Sequence, residues 1–174
     1  MSSIVAKKHV LPVESDTPDV DDGSASVSAG DFWPAISLRD LRMAARIPGG
    51  ITTSRLMHAT TEAVAHVTGQ LQEWHAGKLA AGYTTLEAVP SLLPSGGAAR
   101  QTINGENVKV YRYRRAVYSL ARVFVLEGYR DVDTTAKGDK DASALDLQQE
   151  DLWRDARWSI ADIQDTPRLY AELC

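Results

Sequence analysis

The chain has 174 residues, of which 44% are hydrophobic and 24% charged, with a formal net charge of −4. That length suits one domain with arms, and the near-average composition excludes wholesale disorder. No apolar run approaches the roughly 18 residues of a membrane span.

Charge is divided unevenly. Residues 1–31 carry Lys7 and Lys8 against Glu14, Asp16, Asp19, Asp21, Asp22 and Asp31, which leaves residues 32–174 neutral as a body. A neutral body lacks the basic footprint of a protein that coats DNA. Met1–Val13 has no long apolar stretch, so no secretory signal is expected. Cys174 is the single cysteine and cannot form a disulfide within its own chain, which fits a reducing intracellular site of synthesis.

Residues 1–31 are rich in Ser, Asp, Pro and Gly, a composition that buries too little apolar surface to offset ordering entropy. They read as a flexible acidic N-terminal arm. Phe32-Trp33-Pro34 follows as an aromatic anchor at the start of a domain spanning 32–165. Ser37-Leu-Arg-Asp40 resembles a capping box, and Leu38, Leu41 and Ala45 give a short amphipathic helix ended by Pro48-Gly-Gly50.

Thr53 is placed to cap a long helix running to about Ala80, with Leu56, Ala63, Val67, Leu71 and Trp74 at helical spacing and Gly82 at the stop. Residues 83–100 read as a loop because Pro90, Pro94, Gly96 and Gly97 forbid a continuous helix. Asn104-Gly105 is a candidate hairpin turn, but Val110, Tyr113, Val117, Leu120 and Phe124 favour a helix over about 106–128. Ser143 is placed to cap a last helix through Leu145, Leu152, Ala156, Ile160 and Ile163, stopped by Pro167. The expected fold is therefore all-α, a bundle of three long helices plus a short one, with an extended N-terminal arm and a C-terminal tail over 166–174.

Chemistry-bearing patterns are sparse. His58, Glu62 and His66 follow one helix stripe, but the outer pair is separated by roughly 12 Å of rise, so three ligands cannot converge on one metal. A solvated polar stripe is the better reading. The His-Glu-x-x-His pattern, the phosphate loop and the Gly-x-Gly-x-x-Gly fingerprint are absent from the sequence. No catalytic, cofactor or metal residues are expected, and the chain is expected not to be an enzyme.

Lys109-Val-Tyr-Arg-Tyr-Arg-Arg115 interleaves cations with aromatics. It reads either as core plus a solvated face or as a stripe that meets nucleic acid, the latter making the chain a helical DNA-binding regulator. Residues 100–130 hold seven Arg or Lys against two acids, and residues 131–165 hold four against ten. These segments either pair between neighbouring copies, through Arg112, Arg114 and Arg115, or pair as solvated faces within one chain. Trp153 and Trp158 lie about 140° apart on a helix. The expectation is that one fills the bundle while the other, with Arg154 and Arg157, meets a neighbouring protomer.

Tyr129-Arg-Asp-Val-Asp133, Ala136-Lys-Gly-Asp-Lys140, Asp151-Leu-Trp-Arg-Asp155, Arg157-Trp158, Ile163-Gln164 and Pro167-Arg168 together resemble the phage head completion protein family, GpL, of temperate contractile-tailed phages. Weaker likeness extends upstream to Phe32-Trp-Pro34. The resemblance implies a structural virion protein that binds the portal vertex of the DNA-filled head and helps retain the DNA. It implies a helical adaptor that forms a homo-oligomeric ring of twelve copies, with head-to-tail contacts between protomers. The portal protein lies on one side and a neck or tail completion protein on the other. Packaged double-stranded DNA would pass through the channel without sequence-specific binding. By the same analogy Thr166, Pro167, Arg168, Leu169, Tyr170 and Leu173 dock on the portal.

Overall fold

The computed structural model describes residues 21–130 and 139–168. Its elements follow in the order β1 (Ser26–Val27), β2 (Ile36–Ser37), α1 (Leu38–Ala44), α2 (Thr53–Gln70), α3 (Gln72–Ala80), a 3-10 turn at Leu86–Ala88, β3 (Ser91–Leu92), β4 (Ala98–Ala99), β5 (Thr102–Ile103), β6 (Glu106–Asn107), α4 (Val108–Arg130) and α5 (Asp139–Gln164).

The all-α bundle of three long helices is thus corrected. Among the described residues, five α-helices are joined by three antiparallel two-stranded sheets, pairing β1 with β2, β3 with β4 and β5 with β6. Each strand is two residues long, too short to display the alternation by which a strand is read from sequence. The segment 83–100, expected as plain loop, folds its β3–β4 hairpin with Gly96 and Gly97 both at positive φ. At Asn104-Gly105 both candidate readings are realised in succession. Asn104 and Gly105 take φ of 51° and 80°, the hairpin closes between Thr102 and Asn107, and α4 starts at the next residue.

The long helix expected over 53–80 divides at Leu71, whose φ of −93° and ψ of 4° leave the helical region. Just before the break, the Thr68 hydroxyl donates back to the carbonyls of Val64 and Ala65, a bond that bends helices. Thr52, one residue before the expected cap, accepts the Arg55 amide. Helix α5 begins at Asp139, a turn ahead of the expected Ser143 cap. Ser37 does cap α1, its Oγ accepting the Asp40 amide at 3.2 Å.

Helix α4 is the centre of the packing, with α2 along one side and α5 along another. Val110, Tyr113, Ala116, Val117, Leu120 and Ala121 of α4 are buried against Leu56, Ala63 and Val67 of α2 and Ala156, Ile160 and Ile163 of α5. Burying such aliphatic side chains contributes roughly 1.5–3 kcal/mol apiece, the main term opposing chain entropy. Phe32 and Trp33 close one end of this core. Trp33 stacks on Tyr113 at 5.0 Å, and Phe32 lies 4.2 Å from His75 and 6.4 Å from Trp74.

The segment just before the aromatic anchor is folded onto the domain. Asp22 receives two hydrogen bonds from the Arg42 guanidinium, at 2.6 and 2.9 Å, and a third from the Thr53 hydroxyl at 2.8 Å. Both charged side chains are buried. Strand β1 then pairs with β2, so the first described element lies upstream of Phe32. Among the described residues no helix is long and apolar enough to cross a membrane.

Candidate functional site

Of the residues singled out from sequence, Arg112, Trp158 and Arg168 come together near the end of α5, where it meets the start of α4. Helix α5 stops in a Schellman turn: Thr166 N–H donates to the Ala161 carbonyl at 3.0 Å and Asp165 N–H to the Asp162 carbonyl at 3.4 Å. Asp165 occupies the left-handed position, φ 57°, where glycine is the usual choice. Its carboxylate explains the exception, because Oδ2 accepts from Lys109 Nζ at 2.8 Å. Lys109 is fully buried, donates also to the Ile163 carbonyl, and lies 5.7 Å from the Trp74 ring centroid. Burial pulls its pKa below the usual lysine value, and the bond to Asp165 opposes that shift.

The base of α4 is set by Asn107. Its side-chain oxygen accepts the Lys109 amide at 2.9 Å, capping the helix, while its amide nitrogen donates to the carbonyls of Glu87 and Val89. One buried side chain thus ties the 3-10 turn to α4 and fixes the helix that carries Lys109.

Asp162, in the last turn of α5, holds two arginines. Arg112 of α4 approaches at 3.1 Å, and Arg168 forms a two-pronged pair at 3.0 and 2.9 Å. The second pair raises the Arg168 pKa and folds the side chain back along α5, placing its guanidinium 5.3 Å from the Trp158 ring. Arg154 lies over the same ring at 5.0 Å. Trp158 is half-buried between these cations, and its Nε1 and the Arg157 Nε are buried without an acceptor. Trp153 turns the other way, 6.0 Å from Phe124 and 5.4 Å from His66, against the core.

The three arginines of the Tyr/Arg stretch are engaged within the chain. Arg112 pairs with Asp162, Arg114 with Glu106 and Arg115 with Asp155, the last two at 2.6 and 3.1 Å. Two of these pairs, those of Arg112 and Arg115, join the basic and acidic segments across the α4–α5 seam, whereas Arg114 turns to Glu106 just ahead of α4. Tyr113, from the same stretch, is buried, and burial raises its pKa. His58 and Glu62 line a groove with Phe124 and Val125, whereas His66 bonds to Gln70 at 2.8 Å. No cluster able to hold a metal occurs among the described residues.

Thr166, Pro167 and Arg168 are exposed just past α5. Leu169, Tyr170, Leu173 and Cys174 lie outside the described residues, as do residues 131–138. Lys109, Asp165 and Asp162 were not among the expected site residues; the signal available was limited to a lysine and two aspartates with no visible partner.

A family model described as phage head completion protein (GPL) matches residues 27–174. The chain belongs to that family. The match starts at Val27 in β1, so the head completion family model covers all the described helices and the tail and leaves out Asp22 and most of the acidic arm. The "Head completion/stabilization protein" of Escherichia phage P2 is 38% identical over 137 residues, which is 79% of this chain and 76% of that relative. No solved structure matches the chain.

Proposed function

We propose that the chain completes and stabilises DNA-filled phage heads as a structural protein of the virion, binding the portal vertex as a ring of identical copies. The observation that carries this reading is the family match over 27–174. In this reading the segment 166–174 docks on the portal protein, a neck or tail protein takes the opposite side, and packaged DNA passes through the ring without sequence readout. Twelve copies follow from the resemblance to portal adaptors.

The geometry at the end of α5 suits such a role. The ion pairs of Asp162 and Asp165 hold the root of the tail in one place, and preorganisation of this kind lowers the entropy cost of docking. Trp158, bracketed by Arg154 and Arg168 and with an unpaired indole N–H, has the residue types that dominate protein contacts. It is the side chain assigned to the neighbouring copy, while Trp153 belongs to the interior.

A DNA-binding regulator would need a free cationic stripe, and Arg112, Arg114 and Arg115 are each paired with a carboxylate. Particle imaging of the purified protein with and without portal rings tests the proposal, together with nuclease protection of filled heads. A ring seated on the portal and gained protection are expected. Absence of both, with tight salt-dependent binding to free DNA instead, would favour the regulator.

A further inference from the structure

A groove of about 550 Å³ lies over α4, between α1 and α5. Along α4 it is lined by Tyr111, Arg115, Tyr118 and Arg122, which recur at steps of four, three and four on one helix face, with Arg114 beside them. Asp40 of α1 stands on one side and Leu152 of α5 on the other. The face is open, and Tyr111 on it is 54% exposed. Three arginines thus line the groove against one acid. Arg114 and Arg115 each give a terminal nitrogen to a carboxylate of their own chain, while Arg122 has no ionic partner among the described residues.

The outer face of α5 repeats the spacing with the charge reversed at its start. Leu147, Asp151, Arg154 and Trp158 follow the same steps of four, three and four, with Glu150 beside them, within an arc of about 100°. Leu147 is 64% exposed, Glu150 and Asp151 are exposed next to it, and Glu150 has no ionic partner among the described residues. An exposed leucine flanked by acids on a folded helix is the kind of surface that a partner covers.

We propose that the groove over α4 receives the outer face of α5 from a second copy of the chain. The inference rests on the reading that copies assemble and adds which two surfaces meet. The signs match: Glu150 and Asp151 suit the three arginines, and Arg154 suits Asp40. The lengths match as well, since each stripe covers eleven residues, roughly 16 Å of helix. Leu147 and Trp158 supply apolar and aromatic area for Tyr111 and Tyr118. Within one chain the two surfaces cannot meet, because Leu147 lies about 140° round α5 from Leu152, the residue that borders the groove. The contact is therefore head-to-tail, one face of a copy meeting a different face of the next.

Sedimentation of the full-length protein over a concentration series reaching roughly 1 mM tests the contact. The parent is expected to self-associate. Tyr111→Glu sets a like charge against the acidic stripe, and Leu147→Glu places a charge where an apolar side chain is covered; each is expected to weaken association at least about tenfold. Both positions are exposed, and circular dichroism checks that both variants keep the fold. Tyr111→Phe and Leu147→Met should associate as the parent does. Mixed together, the two glutamate variants each retain one sound face and are expected to form a one-to-one pair that grows no further. A parent that stays monomeric at the top of the series would overturn the proposal. Glutamate variants that associate like the parent would overturn it too, since the groove would then take another occupant, and so would a mixture that stays dissociated. Portal rings added to the same samples separate this contact from portal binding. Association in solution with nothing seated on the portal would sink portal binding alone, whereas rings formed on the portal by both glutamate variants would sink this contact alone.

Discussion

Lys109 and Asp165, 56 positions apart in sequence, meet at 2.8 Å where α4 begins and α5 ends. The pair is asymmetric: the lysine side chain has no exposure, whereas Asp165 keeps 14%. Asp165→Ala strands a buried ammonium and is expected to cost about 3–5 kcal/mol. Lys109→Met fills the same space with an apolar stem and frees a carboxylate that can turn to water. It leaves the Ile163 carbonyl unpaired and should cost about 1–2 kcal/mol. Urea unfolding of both variants checks the order; equal losses would show that Lys109 is less confined than its burial indicates.

Asp22 and Arg42 make a second buried pair, holding the segment before Phe32 to α1. Asp22→Asn keeps the shape, removes the charge facing Arg42, and is expected to destabilise the fold by about 3 kcal/mol. The hydrogen bonds from Arg42 hold the Asp22 pKa below 3.8, against the opposing effect of burial. As pH falls, the unfolded chain takes up this proton first. The stabilisation is therefore full above about 3.8 and is lost as pH drops through the lower folded-state value. Stability measured between pH 5 and 2 should show a shallower acid decline in Asp22→Asn than in the parent.

Trp153 and Trp158 should separate stability from assembly. Trp153→Ala removes contacts to Phe124 and His66 and should cost about 3 kcal/mol. Trp158→Ala loses the two cation–ring contacts and should cost only about 1 kcal/mol. Sedimentation with and without portal rings is expected to show Trp158→Ala folded yet defective in ring formation. Normal assembly by that variant would remove Trp158 from the protomer contact.

Two glycines should respond in opposite directions. Gly69 sits in α2, and a Cβ added there meets nothing within 4 Å. Gly69→Ala is expected to stabilise by about 0.5–1 kcal/mol, through a less disordered unfolded chain. Gly105 also has room for a Cβ but holds φ at 80° in the β5–β6 turn. Gly105→Ala should cost about 1–2 kcal/mol from backbone conformation. Thermal melts of the two variants give the comparison.

Much of the helical scaffold is legible in the sequence. Val110, Tyr113, Val117, Leu120 and Phe124 recur at helical spacing because one face of α4 must meet the core, and Ser37 and Gly82 mark ends because cap geometry is a local demand. The hairpins are less legible: two-residue strands carry no period, and Asn104-Gly105 gives one turn signal beside a stronger helical one. The break at Leu71 is obscured because apolar spacing continues through it to Trp74.

The sequence by itself determined the helical character of the main segments though not the break at Leu71, the neutral body beside the acidic arm, and the likeness to head completion proteins in its last forty residues. Only the tertiary structure decided what the charges do. Lys109 and Asp165, Arg42 and Asp22, and Arg112 and Asp162 are pairs created by packing, at distances along the chain that no local period encodes. Helix formation is selected by neighbours a few residues away. The partner of a charge is selected by whichever side chain the folded backbone brings within hydrogen-bond reach, and the desolvation cost of burial leaves little choice but to pair.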